Sequence, residues 1–122
     1  MTDKQRIGLL GEEAAVRLLE EKGYLIKVRN YRGGRAEIDI IAEFEDRLLV
    51  FIEVKTRNRT DYGSPASFYS KAQQRRVAAA AALYMEETGY DWEIRFDLVA
   101  VLRRGGEFTA EHFEDVFFPG LF

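Results

Sequence analysis

The spacing of apolar positions changes along this chain, and each change marks an element. From Asp3 to Lys22, Ile7, Leu10, Gly11, Ala14 and Leu18 recur at the i, i+3, i+4, i+7 spacing of an amphipathic helix, which turns that stripe toward a core. Gly23 stands where a left-handed C-cap ends such a helix. Tyr24 to Arg29 (YLIKVR) reads as a short strand, and Asn30 to Arg35 (NYRGGR) as a turn, since Gly33-Gly34 reaches positive φ without strain. Then the period shortens to two: Ile38 and Ile40 alternate with Glu37 and Asp39, as in a pleated strand. A polar turn at Glu43 to Arg47 leads into Leu48 to Ile52, which is almost wholly apolar and reads as a central strand.

The segment TRNRTDYGSPASFYS (residues 56–70) is polar, holds Gly63 and Pro65, and reads as a loop of the long kind that carries function or moves. Ser70 is placed to be an N-cap, with Gln73 three residues on completing a capping box. The helix it opens runs from about Lys71 to Thr88, is rich in alanine at Ala78 to Ala82, and stops at Gly89. Trp92 to Leu102 is a second long strand, while Phe108 to Phe122 is aromatic-rich and irregular in pattern, suited to covering a core edge or a subunit contact. The order is therefore α-β-β-β-α-β in one α/β domain over residues 1–122. A mixed β-sheet is flanked by helices, and the last two strands form a right-handed parallel crossover.

These elements bring chemistry together. Asp39 ends one strand-like run, and Glu53 and Lys55 share a face at the end of the next, the spacing D-x13-E-x-K. Charges at the ends of buried strands are costly unless they are paired or hold a metal. The bland alternative is a strand-end ion pair worth little. On the first helix, Glu13 lies on the polar side one turn from Arg17, whereas Glu12 falls at the edge of the apolar face and leans toward the core. Arg29, Arg32 and Arg35 cluster around Tyr31, an arrangement that suits phosphate and base, though a solvated turn would read the same. Lys71, Gln73 and Arg75 crowd the start of the second helix against the macrodipole preference, a conflict that a bound anion would relieve.

Composition narrows the classes. The chain of 122 residues, 47% hydrophobic, can bury one real core. It has no cysteine and one histidine, His112, which excludes thiolate and His-rich metal sites; His112 itself reads as a surface or capping residue. No apolar run reaches membrane-span length, and MTDKQRIG lacks a signal-peptide layout, so the expected location is the cytoplasm, off the membrane. Net charge is −3, yet residues 22–76 hold twelve Lys/Arg against seven Asp/Glu, and the rest six against fourteen. A cationic middle on an acidic body fits a localised phosphate-facing surface.

The D-x13-E-x-K triad resembles the catalytic signature of the restriction-endonuclease-like superfamily of metal-dependent nucleases. A closer likeness spans residues 11 to 99. Gly11-Glu12 with Ala14-Ala15, Gly23-Tyr24, Asn30-Tyr31-Arg32, Glu37-Ile38-Asp39, Phe51 to Arg57 (FIEVKTR) and Arg95 to Val99 (RFDLV) together look like the YraN family, small bacterial proteins assigned as endonucleases and similar to archaeal Holliday-junction resolvases. The resemblance implies a restriction-endonuclease-like core. It implies Asp39 and Glu53 as metal ligands, Lys55 as the catalytic lysine and Glu12 as a supporting carboxylate. Two departures stand out: Ala36 replaces the glycine usual before Glu37-Ile38-Asp39, and Gln73-Gln74 falls where the family often has Lys-Gln, with Lys71 just upstream.

Hard carboxylate oxygens suit Mg²⁺ or Mn²⁺, which keep waters and bind phosphate oxygens. Lys55 would orient a water or stabilise developing charge, and Arg57, of the same parity, would grip a neighbouring phosphate. The expectation is a metal-dependent nuclease acting on nucleic acid, with branched or otherwise non-standard DNA favoured and a homodimer one route to substrate choice. A nucleic-acid-binding module with this fold and little cleavage is the competing reading, and an interaction protein with a structural ion network a third.

Overall fold

In the computed structural model of the chain, residues 1–58 and 69–118 are described; most of the expected 56–70 loop and the last four residues lie outside them. Helix α1 (Asp3–Glu21) opens on a reciprocal cap: the Thr2 hydroxyl accepts from Gln5 N at 3.1 Å, and Gln5 Oε1 accepts from Thr2 N at 2.9 Å. Its buried face is Gly11, Ala14, Ala15, Val16 and Leu19. That face is turned from the expected stripe, since Leu10 is exposed and Ile7 and Leu18 only partly covered. The reason is close approach. A Cβ on Gly11 would sit 2.0 Å from Thr56 Oγ1, so the helix lies against the sheet along its smallest residues and larger ones are displaced to the flanks.

The sheet has five strands in the order β1-β2-β3-β4-β5: Leu25–Gly33, Ala36–Phe44, Leu48–Asn58, Glu93–Arg104 and Glu107–Phe113. Between β3 and β4 runs helix α2 (Lys71–Thr88), capped by the Ser70 hydroxyl and stopped at Gly89, whose φ is 68°. Strands β3 and β4 pair in parallel, as the crossover pattern predicts, and every other neighbouring pair is antiparallel. The protein is thus a mixed α/β sheet with a core on each face. Ile40, Ala42, Val50, Ile52, Val99 and Val101 pack under α1, and Ile41, Leu49, Phe51, Phe96 and Leu98 pack with Val77, Ala80 and Ala81 of α2.

Three boundaries differ from the sequence reading: β3 continues through Thr56 and Arg57 to Asn58, into the segment read as a loop. Strand β1 runs on through Asn30, Tyr31 and Arg32 to Gly33, leaving only Gly34 and Arg35 as the turn. Tyr31 is drawn into the strand by α2, with its ring edge-on to Tyr84 at 5.2 Å and its hydroxyl donating to Glu87 Oε1. The C-terminal region is not irregular throughout. Residues 107–113 form β5 along β4, with Phe108, Ala110 and His112 inward and Thr109 and Glu111 exposed. The period-2 pattern is present there, masked by aromatic residues that continue beyond the strand.

Candidate active site

Strands β2 and β3 part company at one residue. Their ladder runs from Phe44↔Leu48 to Ile40↔Ile52. Beyond it the alternation of β2 slips: Ile38 packs on the α2 face and Ile40 on the α1 face, although two residues apart they should share one. Asp39 lies at the slip. Opposite it in β1, Asn30 takes φ 55°, a left-handed conformation that asparagine tolerates better than most residues, and its neighbours diverge the same way. Arg29 reaches α1 and Tyr31 packs toward α2. At this fork the Asp39 carboxylate replaces the missing ladder partner, accepting from Val54 N at 2.8 Å.

Glu53 follows from β3 and points to the α2 side. Burial is nearly complete, at 6% exposure. Its Oε1 accepts from Gln73 Nε2 at 3.1 Å and lies 3.8 Å from Lys55 Nζ, while its Oε2 is buried and accepts from none of the described residues. The two acids act on each other. Burial pushes the Glu53 carboxyl well above the usual carboxylate range, the Asp39 charge pushes it further, and Lys55 opposes both. Asp39 is raised too, chiefly by burial, with the Val54 N–H, a hydrogen bond from the Glu53 carboxyl and Lys55 holding it down.

Glu12 enters from α1, where the Gly11 contact sets the helix against β3. It shares with Asp39 a cleft of about 610 Å³, whose walls also include Lys4, Gly8, Asn30, Glu37, Thr56, Arg57 and Arg103. Burial raises its carboxyl against the pull of Arg29, and Asp39 adds to the rise. Glu12 nevertheless has a partner, Arg29 Nε at 3.3 Å. Among the described residues, no three acid or imidazole side chains converge on one point, so Glu12 belongs to the cleft wall. Glu13 pairs with Arg29 Nη1 at 3.0 Å; the expected partner Arg17 is exposed on α1, and the strand cation wins because it lies across the helix–sheet junction.

The cations expected to face nucleic acid scatter. Arg29 is committed to the two glutamates of α1. Arg32 is exposed, 3.6 Å from Glu37, and Arg35 is exposed in the hairpin turn. Arg57 lines the cleft and donates to Thr56 O. Lys71 and Arg75 stand exposed on α2, while Gln73 turns inward to Glu53. Lys4 and Arg103 were not legible as site residues. Arg103 arrives through the parallel register, which sets it beside Asn58 at the end of β3, and Lys4 from the first turn of α1.

A second buried charge cluster lies on the α1 face, toward the other end of that helix. Asp97, fully buried, accepts from Arg95 Nε at 2.8 Å and Nη2 at 2.7 Å, from Asp115 N at 3.0 Å, and from His112 Nε2 at 2.6 Å. Lys22 Nζ lies 2.6 Å from His112 Nδ1. An ammonium only donates, so Nδ1 is the acceptor and Nε2 carries the proton given to Asp97. His112 is accordingly no surface residue: its side chain is 2% exposed.

Fold and site together define a small mixed-sheet α/β protein with a buried acid pair where two central strands fork. Residues 11–101 match the profile of the uncharacterised protein family UPF0102, and the chain belongs to that family. Full-length UPF0102 relatives include one from Flavobacterium psychrophilum, 42% identical over 97% of this chain and 98% of its own. Another, from Bacteroides thetaiotaomicron, is 39% identical over the whole of both chains, and one from Desulforapulum autotrophicum is 42% identical over 93% and 94%.

Proposed function

We propose that this protein is a metal-dependent nuclease that hydrolyses phosphodiester bonds, with branched or otherwise non-standard DNA as its substrate. The observation that carries the reading is the Asp39–Glu53 pair. Two buried carboxyls share one hydrogen bond: burial raises both, and Asp39 raises Glu53 further while the bond from Glu53 holds Asp39 down. Such a pair is expensive as plain structure. Its all-oxygen donor set fits Mg²⁺ or Mn²⁺, which bind through one or two carboxylates and complete their shell with water and phosphate oxygens. Asp39 and Glu53 Oε2 would hold the ion, which would supply a Lewis acid for the phosphate and acidify a nearby water.

The remaining roles belong to the chain itself. Lys55, 3.8 Å from Glu53 Oε1, stands where it offsets negative charge gathering on the phosphate. Gln73 anchors Oε1 and so sets the direction of the carboxyl. The cleft beside Asp39, with Lys4, Arg57 and Arg103 on its walls, offers cationic groups to a backbone phosphate. The resemblance to YraN and junction-resolving proteins supports branched DNA over an ordinary duplex.

The test is incubation of purified protein with branched, flapped and linear DNA and RNA, in Mg²⁺, Mn²⁺ or chelator. Cleavage that needs the metal and favours branched DNA is the expected outcome. Binding of the same substrates without any cleavage would leave a binding module in place of the enzyme.

A further inference from the structure

Helix α2 is charged against its own dipole at both ends. Its first turns carry Lys71, Arg75 and Arg76, with no acid in the first turn, and its last turn carries Glu86 and Glu87, with no base. Aligned peptide dipoles leave a helix positive at its N-terminus and negative at its C-terminus, so each set of charges sits at the end that disfavours it. Nothing else in the fold repairs this. Lys71, Arg75, Arg76 and Glu86 are all exposed, and among the described residues none of them makes an ion pair. Glu87 accepts from the Tyr31 hydroxyl, a neutral donor.

The charges lie along one outer face. Arg75, Ala79, Ala82, Leu83 and Glu86 follow the i, i+4, i+7, i+8, i+11 spacing of a single helix side, and all are exposed, Leu83 at 39%. The inner side is already occupied: Val77, Ala80 and Ala81 lie in the core, and Gln73 reaches Glu53. Arg75 stands four residues before Ala79, and Glu86 four residues after Ala82. The outer face is therefore complementary to itself when reversed. Two copies of α2 laid antiparallel, with Ala79 of each beside Ala82 of the other, bring Arg75 of each to Glu86 of the other. The cations then meet the negative C-terminus of the neighbouring helix, and the acids its positive N-terminus.

A nucleic-acid strand fits this face less well, because Glu86 and Glu87 would repel its phosphates at the far end. An unlike protein would need the same charge order in reverse, whereas a second copy of this chain supplies it, and pairing of a patch with its own copy is the usual route to a symmetric dimer. We infer that the outer face of α2 is an interface between two copies of this chain, paired antiparallel around Ala79 and Ala82 and fixed in register by two Arg75–Glu86 ion pairs. One helix face covers less area than a standard stable interface, so the dimer is weak and exchanges with monomer.

The test is sedimentation equilibrium of the full-length protein at low salt, from micromolar to near-millimolar concentration. Wild type should pass from monomer to dimer across that range, and added salt should weaken the association. Arg75→Glu and Glu86→Arg should each weaken it about tenfold or more, since each sets like charges against each other in both pairs. Combining the two exchanges in one chain should restore it, because the swapped pair is again complementary. Neither exchange opposes the helix dipole, so Tm in dilute protein should hold or rise in both single variants, which separates lost association from lost folding. A wild type that stays monomeric throughout overturns the inference. So does a dimer that either single variant keeps, or that the combined variant fails to recover. Monomer together with a DNA affinity that falls in Arg75→Glu would give these cations to nucleic acid instead. No cleavage enters these measurements, so they decide the interface whether or not the protein proves to be a nuclease.

Discussion

Gln73 donates from Nε2 to Glu53 Oε1 at 3.1 Å, tying the first turn of α2 to the end of β3. The backbone N–H of the same residue donates to the Ser70 hydroxyl at 3.1 Å, so one residue closes the helix cap and steers a buried carboxyl. Its amide is thereby spent on Glu53, and the reciprocal half of the expected capping box gives way to the site. Lys71 is exposed instead, which settles the geometry of that helix start: Gln73, two residues on from Lys71, is the one that faces the acids.

This arrangement separates the two residues by experiment. Gln73→Ala removes a hydrogen bond to a buried carboxyl, a loss of roughly 1.5–3 kcal/mol when the acceptor is charged. It should weaken both Mg²⁺ binding, read by calorimetry, and cleavage by an order of magnitude or more. Lys71→Ala should stay near wild type in both. The reverse ranking would place the working contact on Lys71.

Asp39→Asn keeps the shape of the fork and removes one ligand charge. Ions that bind only the folded protein raise its stability in proportion to the logarithm of their concentration. Added Mg²⁺ or Mn²⁺ should therefore raise the wild-type Tm and leave Asp39→Asn unmoved, with cleavage lost and DNA affinity kept or improved as repulsion of phosphate is relieved. The amide still accepts from Val54 N, so the variant should fold. Equal metal-linked shifts in the two proteins would move the ion away from Asp39.

Gly11→Ala opposes two effects of known size. Alanine in a helix interior gains about 1 kcal/mol over glycine. A Cβ at this position would lie 2.0 Å from Thr56 Oγ1 and 3.1 Å from Thr56 Cβ, and overpacking of that kind costs roughly 1–3 kcal/mol. The clash should win, so chemical denaturation should show net destabilisation, and adding Thr56→Ala should recover part of it. A more stable Gly11→Ala protein would mean that α1 can back away from β3 without cost.

How much of this was legible depended on whether the signal was local. The Ser70 cap of α2 and both helix stops rest on residues within a few positions of each other, and the parallel pairing of β3 with β4 follows from an intervening helix; all stand in the structure as the sequence suggests. That Asp39 and Glu53 would meet was also readable, because a short turn between strands fixes their neighbourhood. The slip at Asp39 was not, since it depends on Asn30 in another strand taking φ 55°. Nor was the commitment of Arg29 to Glu12 and Glu13, or the burial of His112 on Asp97, partners fifteen or more residues apart that only packing brings together. Polar residues were legible as a type, and which partner each one found was decided by the tertiary fold.

The Asp97 cluster gives the protein a pH dependence whose sign can be worked out. Burial alone would raise this carboxyl, but Arg95, His112 and the Asp115 N–H outweigh it and hold the carboxyl below its ordinary value of 3.8. A carboxyl depressed on folding contributes stability that is present above its unfolded value and lost as pH falls through the folded one. Wild type should accordingly lose stability as the pH drops from about 4 toward 2, and part of that loss should belong to Asp97. Asp97→Asn takes from Arg95 its buried carboxylate partner and leaves the exposed Glu114 at 3.4 Å, so at neutral pH it should cost less than the roughly 3–5 kcal/mol of a fully orphaned buried charge. The gap between the two proteins should be widest near neutrality and should narrow in acid, once the wild-type carboxyl is itself protonated. Urea titrations at a series of pH values read that gap directly. A gap that stays constant into acid would show that Asp97 acts through packing and hydrogen bonds, with its charge contributing nothing. Because the cluster lies on the α1 face away from the Glu53–Gln73 contact, metal-linked stabilisation should survive in Asp97→Asn at neutral pH, which separates this structural charge from the acids of the candidate site.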